Sequence, residues 1–327
     1  MNNYNINLLK NGNLSEIIPE NIDLISEIDI LKKEKNVIIM AHFYQKEEIQ
    51  KIADYIGDSL ALAQIASKTK ASIILLSGVY FMGETAKILC PNKKVLIPDL
   101  NAGCSLADSC HADKFKEFIN KHKDHKVVTY VNTSAAIKSL SDIVVTSSNA
   151  VDIINSFPKN EKIIFGPDKN LGNYINGLTG RNMILWDGAC HVHEKFSIEK
   201  IIELKNKDKD AELLAHPECK TNILLLADFI GSTSAILNYS KQSKKNAFIV
   251  ATESGILHEM IKNSPNKNFI PAPPIDSTCG CNDCEYMKLN TLEKIYLSLK
   301  YELPEIEINE EVRKKALIPI ERMLKMS

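Results

Sequence analysis

Three cysteines stand at matched places along this chain: Cys104 in NAGCSL, Cys190 in DGACHVH and Cys284 in NDCEYM, 86 and 94 residues apart. Thiolates are soft ligands for iron and zinc. Eight cysteines in a chain of 327 residues, ample for a hydrophobic core without staples, favour metal or redox chemistry over structural disulfides. Brought together, three thiolates would hold a cubane iron–sulfur cluster and leave one iron without a protein ligand, because a cubane normally takes four. Such an iron is a Lewis acid, able to bind and polarise a carboxylate or hydroxyl of a substrate. Cys90 in KILCP, Cys110 and Cys219 have no matched counterparts and read as core residues.

Two further sets of residues carry possible chemistry. The hydroxyl clusters DSL (58–60), TSS (146–148) and STS (232–234) place Ser59, Ser147 and Thr233 at separations of 88 and 86 residues. Each cluster falls where a strand gives way to a helix. Taken singly they are ordinary caps; at the mouth of one cavity they become sites for phosphate or carboxylate. The second set lies at strand ends: His42 and Tyr44, Tyr130 and Asn132, His216 and Glu218. Alternation along a strand would put each pair on one face, ready for proton transfer. The HVHE run (191–194) suggests zinc by its His-x-His spacing, but HExxH is absent and Cys190 adjoins it, so His193 reads as a cavity residue. No phosphate-binding loop motif competes.

These groups need elements to position them. Short β-rich runs such as VIIMAHF (37–43), ASIILLSG (71–78), KVVTYVN (126–132) and AFIVATE (247–253) alternate with helical stretches, the mark of an α/β protein with parallel sheets. AHFYQ, TYVNT and AHPEC recur in step with the hydroxyl clusters, so one four-strand unit is written three times. Ligands gather outside the carboxyl ends of parallel strands. The expected architecture is therefore three homologous parallel-sheet α/β domains in a pseudo-threefold arrangement around a central active-site cavity. Their expected extents are 1–110 with an N-terminal extension, 111–195 and 196–284, with the tail 285–327 packing back on the first.

Forty basic against 41 acidic residues leave a formal net charge of −1, which gives no electrostatic footprint for nucleic acid or an anionic membrane. The N-terminus lacks an apolar signal segment and the longest apolar runs are too short to span a bilayer, so a cytoplasmic protein with small-molecule partners is expected.

The ordered set AHFYQ, GDSL, AGCSLADSC, TYVNTSA, TSSNA, GACHVHE, AHPEC, GSTSAI, ATESG and CNDCEYMKLN, spread over nearly the whole chain, resembles quinolinate synthase. The resemblance implies a 4Fe-4S cluster on Cys104, Cys190 and Cys284 with one open iron. It also implies condensation of iminoaspartate with dihydroxyacetone phosphate to quinolinate, with loss of phosphate and two waters, for NAD biosynthesis. L-aspartate oxidase, the usual source of unstable iminoaspartate, becomes a functional partner. Substrate contacts fall on His42, Ser59, Tyr130, Val131, Asn132, Ser147, His216, Pro217, Glu218 and Thr233, with Ser148 and Ser232 in matching positions. Proton transfer falls on Glu218, Tyr44, Tyr130, His42 and His193. Many family members carry Cys-x-x-Cys-x-x-Cys near the C-terminus, whereas Cys279 and Cys281 here are one residue apart, and a disulfide between them would close a small strained ring. Two other readings stand beside this one: an iron–sulfur sensor or electron carrier, which calls for four cysteine ligands, and a zinc hydrolase built on His191, His193 and Glu194.

Overall fold

A computed structural model describes residues 9–276 and 282–327; Cys279 and Cys281 lie outside these described residues. Three four-stranded parallel sheets share one strand order. In the first, Tyr55–Gly57, Val37–His42, Ile73–Ser77 and Lys94–Leu96 lie side by side. In the second the order is Ile143–Val145, Lys126–Tyr130, Ile163–Gly166, Ile184–Leu185. In the third it is Phe229–Ile230, Glu212–Ala215, Ala247–Ala251, Asn268–Pro271. The central strands VIIMAH and IILLS are buried at every residue. That is the continuous apolar run of a sheet covered by helices on both faces.

The edge strands Tyr55–Gly57 and Phe229–Ile230 were not expected from sequence. They are two or three residues long, only partly buried, and carry Gly and Asp at their ends. An aspartate secures each of the three edges. Asp54, Asp142 and Asp228 donate their backbone N–H to Ile39, Val127 and Leu213. Each then accepts the N–H of that same residue through a carboxylate oxygen, at 2.7, 2.8 and 2.7 Å. The carboxylate thus takes up a donor that a strand this short leaves unpaired. The spacing between these aspartates, 88 and then 86 residues, keeps step with the hydroxyl clusters.

The tail divides between units. Helix Leu292–Tyr301 packs on helix Leu24–Glu34 beside the first sheet, in a core that includes Ile28, Ile39, Ile295 and Leu299. Helix Glu310–Lys325 instead lies mainly against Ile143–Val145 and Ala135–Lys138 of the second unit and touches Tyr80–Leu89 of the first. Its apolar face, Ala316, Ile320 and Met323, belongs to the one core cluster that spans both units. Units one and three meet more tightly: a Cβ on Gly255 would lie 2.7 Å from the backbone carbon of Tyr44.

If the aspartate clamps hold the short edges, Asp54→Ala, Asp142→Ala and Asp228→Ala should each cost about 1–2 kcal/mol, the worth of a hydrogen bond to a charged group at a partly exposed site. Asp210→Ala, on a carboxylate 90% open to solvent, should leave the urea midpoint in place.

Candidate active site

The strand ends of all three sheets open on one cavity of about 730 Å³, the open solvent at its mouth included. Cys104, Cys190 and Cys284 line it, with His42, Tyr44, Ser59, Tyr130, Val131, Asn132, Ser147, Ser148, His193, His216, Glu218 and Thr233. Of the residues expected at the site, Pro217 and Ser232 do not line this cavity. Ser232 caps helix Thr233–Gln242, its hydroxyl accepting the N–H of Ala235 at 3.3 Å.

The paired strand-end residues come together by turns rather than by alternation. The strands stop at His42, Tyr130 and Ala215, and the second member of each pair sits beyond. In the first unit the N–H of Tyr44 donates to Nδ1 of His42 at 3.2 Å; in the third the N–H of Glu218 donates to Nδ1 of His216 at 3.4 Å. Each neutral imidazole therefore keeps its proton on Nε2, and that of His216 lies 3.3 Å from the Ser147 hydroxyl.

A continuous line of polar contacts crosses the cavity. The Tyr44 hydroxyl sits 2.9 Å from Thr233 Oγ1 and 2.7 Å from Thr252 Oγ1. Thr252 Oγ1 is 3.1 Å from Nε2 of His193, whose Nδ1 lies 3.1 Å from Oε2 of Glu218 but off the line of a good hydrogen bond. Oε1 of Glu218 accepts the Tyr130 hydroxyl at 2.6 Å. Burial alone would raise Glu218; the facing imidazoles of His193 and His216 and the Tyr130 hydroxyl overcome it and hold the carboxyl below its usual range. Burial, with Glu218 nearby, pushes the Tyr130 phenol up, and burial does the same to Tyr44, so both stay protonated donors. Burial also drives the histidines toward the neutral form, His42 down to about 4 and His216 to about 3, against the opposing pull of Asp58 and Glu218.

The hydroxyl clusters divide their work. Asp58 is the N-cap of helix Ser59–Lys68 and its Oδ2 accepts from Ser148 at 3.3 Å and from Ser234 at 2.6 Å. One carboxylate thus ties together the clusters of all three units. Ser148 spends its hydroxyl on this tie. In the second unit the helix begins later, with Asn149 at the N-cap, so Ser147 lies in the turn before the helix and not in its first turn.

Each cluster-type cysteine opens one turn of helix, its carbonyl accepting the N–H four residues on: Asp108 to Cys104, Glu194 to Cys190, Lys288 to Cys284. Burial raises all three thiols, Cys104 to about 12, Cys284 to about 11 and Cys190 well above the usual value, while local N–H groups of the same turns pull the other way. Only a cation placed among them would make them thiolates. The three sulfurs do not form a group close enough for a single ion; among the described residues that grouping is Cys190, His193 and Glu218. Three partly buried thiols lining one cavity, beyond the reach of a single ion, are compatible with a polynuclear centre. Glu253, buried, accepts the N–H of Cys284 at 3.1 Å and pairs with Lys288 at 2.7 Å, and Lys288 also donates to the Tyr44 carbonyl at 2.7 Å.

The HVHE residues fan apart. His191 Nδ1 is 2.6 Å from the Ser105 hydroxyl, His193 turns inward to Glu218, and Glu194 accepts from Asn170 at 2.7 Å and pairs with Lys220. Asp58, Thr252 and Glu253 were not singled out from sequence. The motifs GDSL and ATESG contain them, but a cap-like Asp and a Thr after a strand carry no functional signal until their partners from other units are known.

Acidification should unfold the protein through the buried histidines. In the unfolded chain each takes a proton near 6.5, and in the fold only near 4 or 3, so the unfolded state binds more protons and stability falls as pH drops below about 6.5. Denaturant midpoints measured from pH 7.5 to 5 should decline, and a His42→Asn/His216→Asn variant should show a flatter decline.

Residues 26–325 match the sequence model of the quinolinate synthetase A protein. The quinolinate synthase of Microcystis aeruginosa is 57% identical over 305 residues, 93% of this chain and 95% of the relative. That of Chloroherpeton thalassium is 57% identical over 306 residues, 94% and 95%. That of Rippkaea orientalis is 55% identical over 313 residues, 96% and 95%. With near-complete coverage on both sides, the chain belongs to the quinolinate synthetase A family.

Proposed function

We propose that this protein is a quinolinate synthase of NAD biosynthesis that condenses iminoaspartate with dihydroxyacetone phosphate, releasing phosphate and two waters. The observation that carries this reading is the line Tyr44–Thr252–His193–Glu218–Tyr130 running beside three cysteines that line one cavity. Family membership supports it. The three units are read as domains 1–110, 111–195 and 196–284 about a pseudo-threefold axis, because each lends strand-end residues and a cysteine to the same cavity.

Cys104, Cys190 and Cys284 would hold a 4Fe-4S cluster, whose open iron supplies Lewis-acid activation of a substrate oxygen. The remaining work falls to side chains. Ser59, Ser147 and Thr233, with the Nε2–H groups of His42 and His216, donate to the phosphate and carboxylates of the substrates. These donors are fixed by the turns and caps, so they reorganise little as charge develops. Asn132 Oδ1, buried without a partner, is free to accept from a substrate N–H or O–H. Glu218, held ionised, accepts protons as the carbon–carbon and carbon–nitrogen bonds form. Tyr130 and Tyr44, held as phenols, return protons to departing oxygens, and His193 links Glu218 to Thr252 and so to Tyr44. The substrate's instability calls for a nearby amino-acid oxidase, with L-aspartate oxidase the functional partner. No helix among the described residues is long and apolar enough to cross a membrane, and a cytoplasmic enzyme fits that.

A sensor or electron carrier has no use for this set of acid–base groups, and the splayed HVHE residues offer no shared ion site for a hydrolase. Anaerobically reconstituted protein should form quinolinate from the two substrates. Glu218→Gln and Tyr130→Phe should lower kcat by about 10²- to 10⁴-fold with iron and sulfide content unchanged. Cys104→Ser, Cys190→Ser and Cys284→Ser should each lose the cluster, whereas Cys279→Ser and Cys281→Ser should keep it. Protein carrying a full iron and sulfide complement yet making no quinolinate would refute the assignment.

A further inference from the structure

One side chain in the cavity faces a carboxylate without a well-aligned hydrogen bond to it. His193 is 2% exposed, and its Nε2 is taken by Thr252 at 3.1 Å, yet Nδ1 finds no aligned acceptor. It sits 3.1 Å from Oε2 of Glu218, off the hydrogen-bond line. Two ligand bonds of about 2.0–2.2 Å meeting at one tetrahedral ion leave their donor atoms roughly 3.3–3.6 Å apart, so this misaligned contact need open by only a few tenths of an ångström to chelate zinc. Cys190 supplies the third donor: its sulfur, a ring nitrogen of His193 and a carboxylate oxygen of Glu218 all lie within 4.8 Å of one another. Closing that triangle to zinc geometry asks for at most about 1.3 Å of movement from the cysteine side chain.

We propose that, when no cluster occupies the cavity, Cys190, His193 and Glu218 bind a single borderline divalent ion, Zn²⁺ being the type case, with its fourth position open to the cavity. The donor set is one sulfur, one nitrogen and one oxygen with a vacant place, as in catalytic zinc sites. The surroundings are already those of a bound ion. The contact of Nε2 with Thr252 leaves Nδ1 turned to Glu218, and Tyr130 donates to the other oxygen of Glu218, leaving Oε2 for the metal. The site is distinct from the HVHE reading, because His191 and Glu194 are committed elsewhere. Its consequence rests on the proposed function: the ion would occupy a cysteine needed for the cluster and the carboxylate needed for proton transfer, so zinc loading and cluster loading exclude each other.

The test uses cluster-free, anaerobically handled full-length protein in which Cys279 and Cys281 are replaced by Ser. Zn²⁺ is titrated against a chromophoric chelator, and Co²⁺ is used as its spectroscopic substitute. One ion should bind per chain, retained in Cys104→Ser and Cys284→Ser and lost in Cys190→Ser and His193→Ala. Thr252→Val should weaken it by about 10- to 100-fold. X-ray absorption of the zinc form, which needs no ligand variant to fold, should show one sulfur among nitrogen and oxygen neighbours. Three sulfur neighbours, equal loss in all three cysteine variants, or binding indifferent to His193→Ala would overturn the site. Iron and sulfide uptake followed in the same preparations keeps the two readings separable. Protein that assembles the cluster but binds no zinc here sinks the ion site alone, and protein that binds zinc but never takes up iron and sulfide sinks the cluster alone.

Discussion

Glu218 is a carboxyl only 3% exposed whose titration lies below the usual range, and much of the cavity follows from the need to pair it. A buried charge without partners costs several kcal/mol, so partners must be delivered from wherever the chain can supply them. The second unit supplies Tyr130 and His193 and the third supplies His216. The first unit joins through Tyr44, which reaches His193 by way of Thr252. No single sheet could satisfy this carboxylate. The depressed titration of this carboxyl is therefore a property of the three units together.

Asp58 repeats the theme at the hydroxyl clusters. Its carboxylate caps its own helix and accepts hydroxyls from the other two units, so a residue of ordinary capping type becomes the tie between three motifs. Glu253 and Lys288 do the same between units one and three, linking the backbone of Cys284 to that of Tyr44. Close approach of Gly255 to Tyr44 permits that junction; any larger residue would force the Tyr44 turn to move. The cysteines, the line of polar contacts and the hydroxyl clusters are thus held by carboxylates that reach across unit boundaries.

Much of this was legible in the chain. The in-step spacings of cysteines, hydroxyls and strand ends mark a repeated unit, and the three sheets indeed share one strand order. Where the reading was incomplete, the cause was local. Phe229–Ile230 and Tyr55–Gly57 are too short to show a period, and the aspartates that anchor them look like loop residues until the partner N–H is known. The strand-end pairs were read as alternating residues on strands, whereas a turn with an N–H bonded to the imidazole brings each His and its partner together. Ser232 and Ser147 show the limit of motif matching: the first is consumed by a cap, and the second stands in a turn because Asn149 takes the cap position instead.

The sequence by itself determined the kinds of groups available and their order: three soft thiols, three pairs of polar residues at strand ends and three hydroxyl clusters before helices. Residue type and periodicity are local properties and survive without the fold. Which of those groups carries charge, which hydroxyl is spent on structure and which nitrogen is left without a partner were decided only by tertiary structure. Protonation, pairing and burial depend on distances between residues nearly ninety positions apart, and only packing sets those distances.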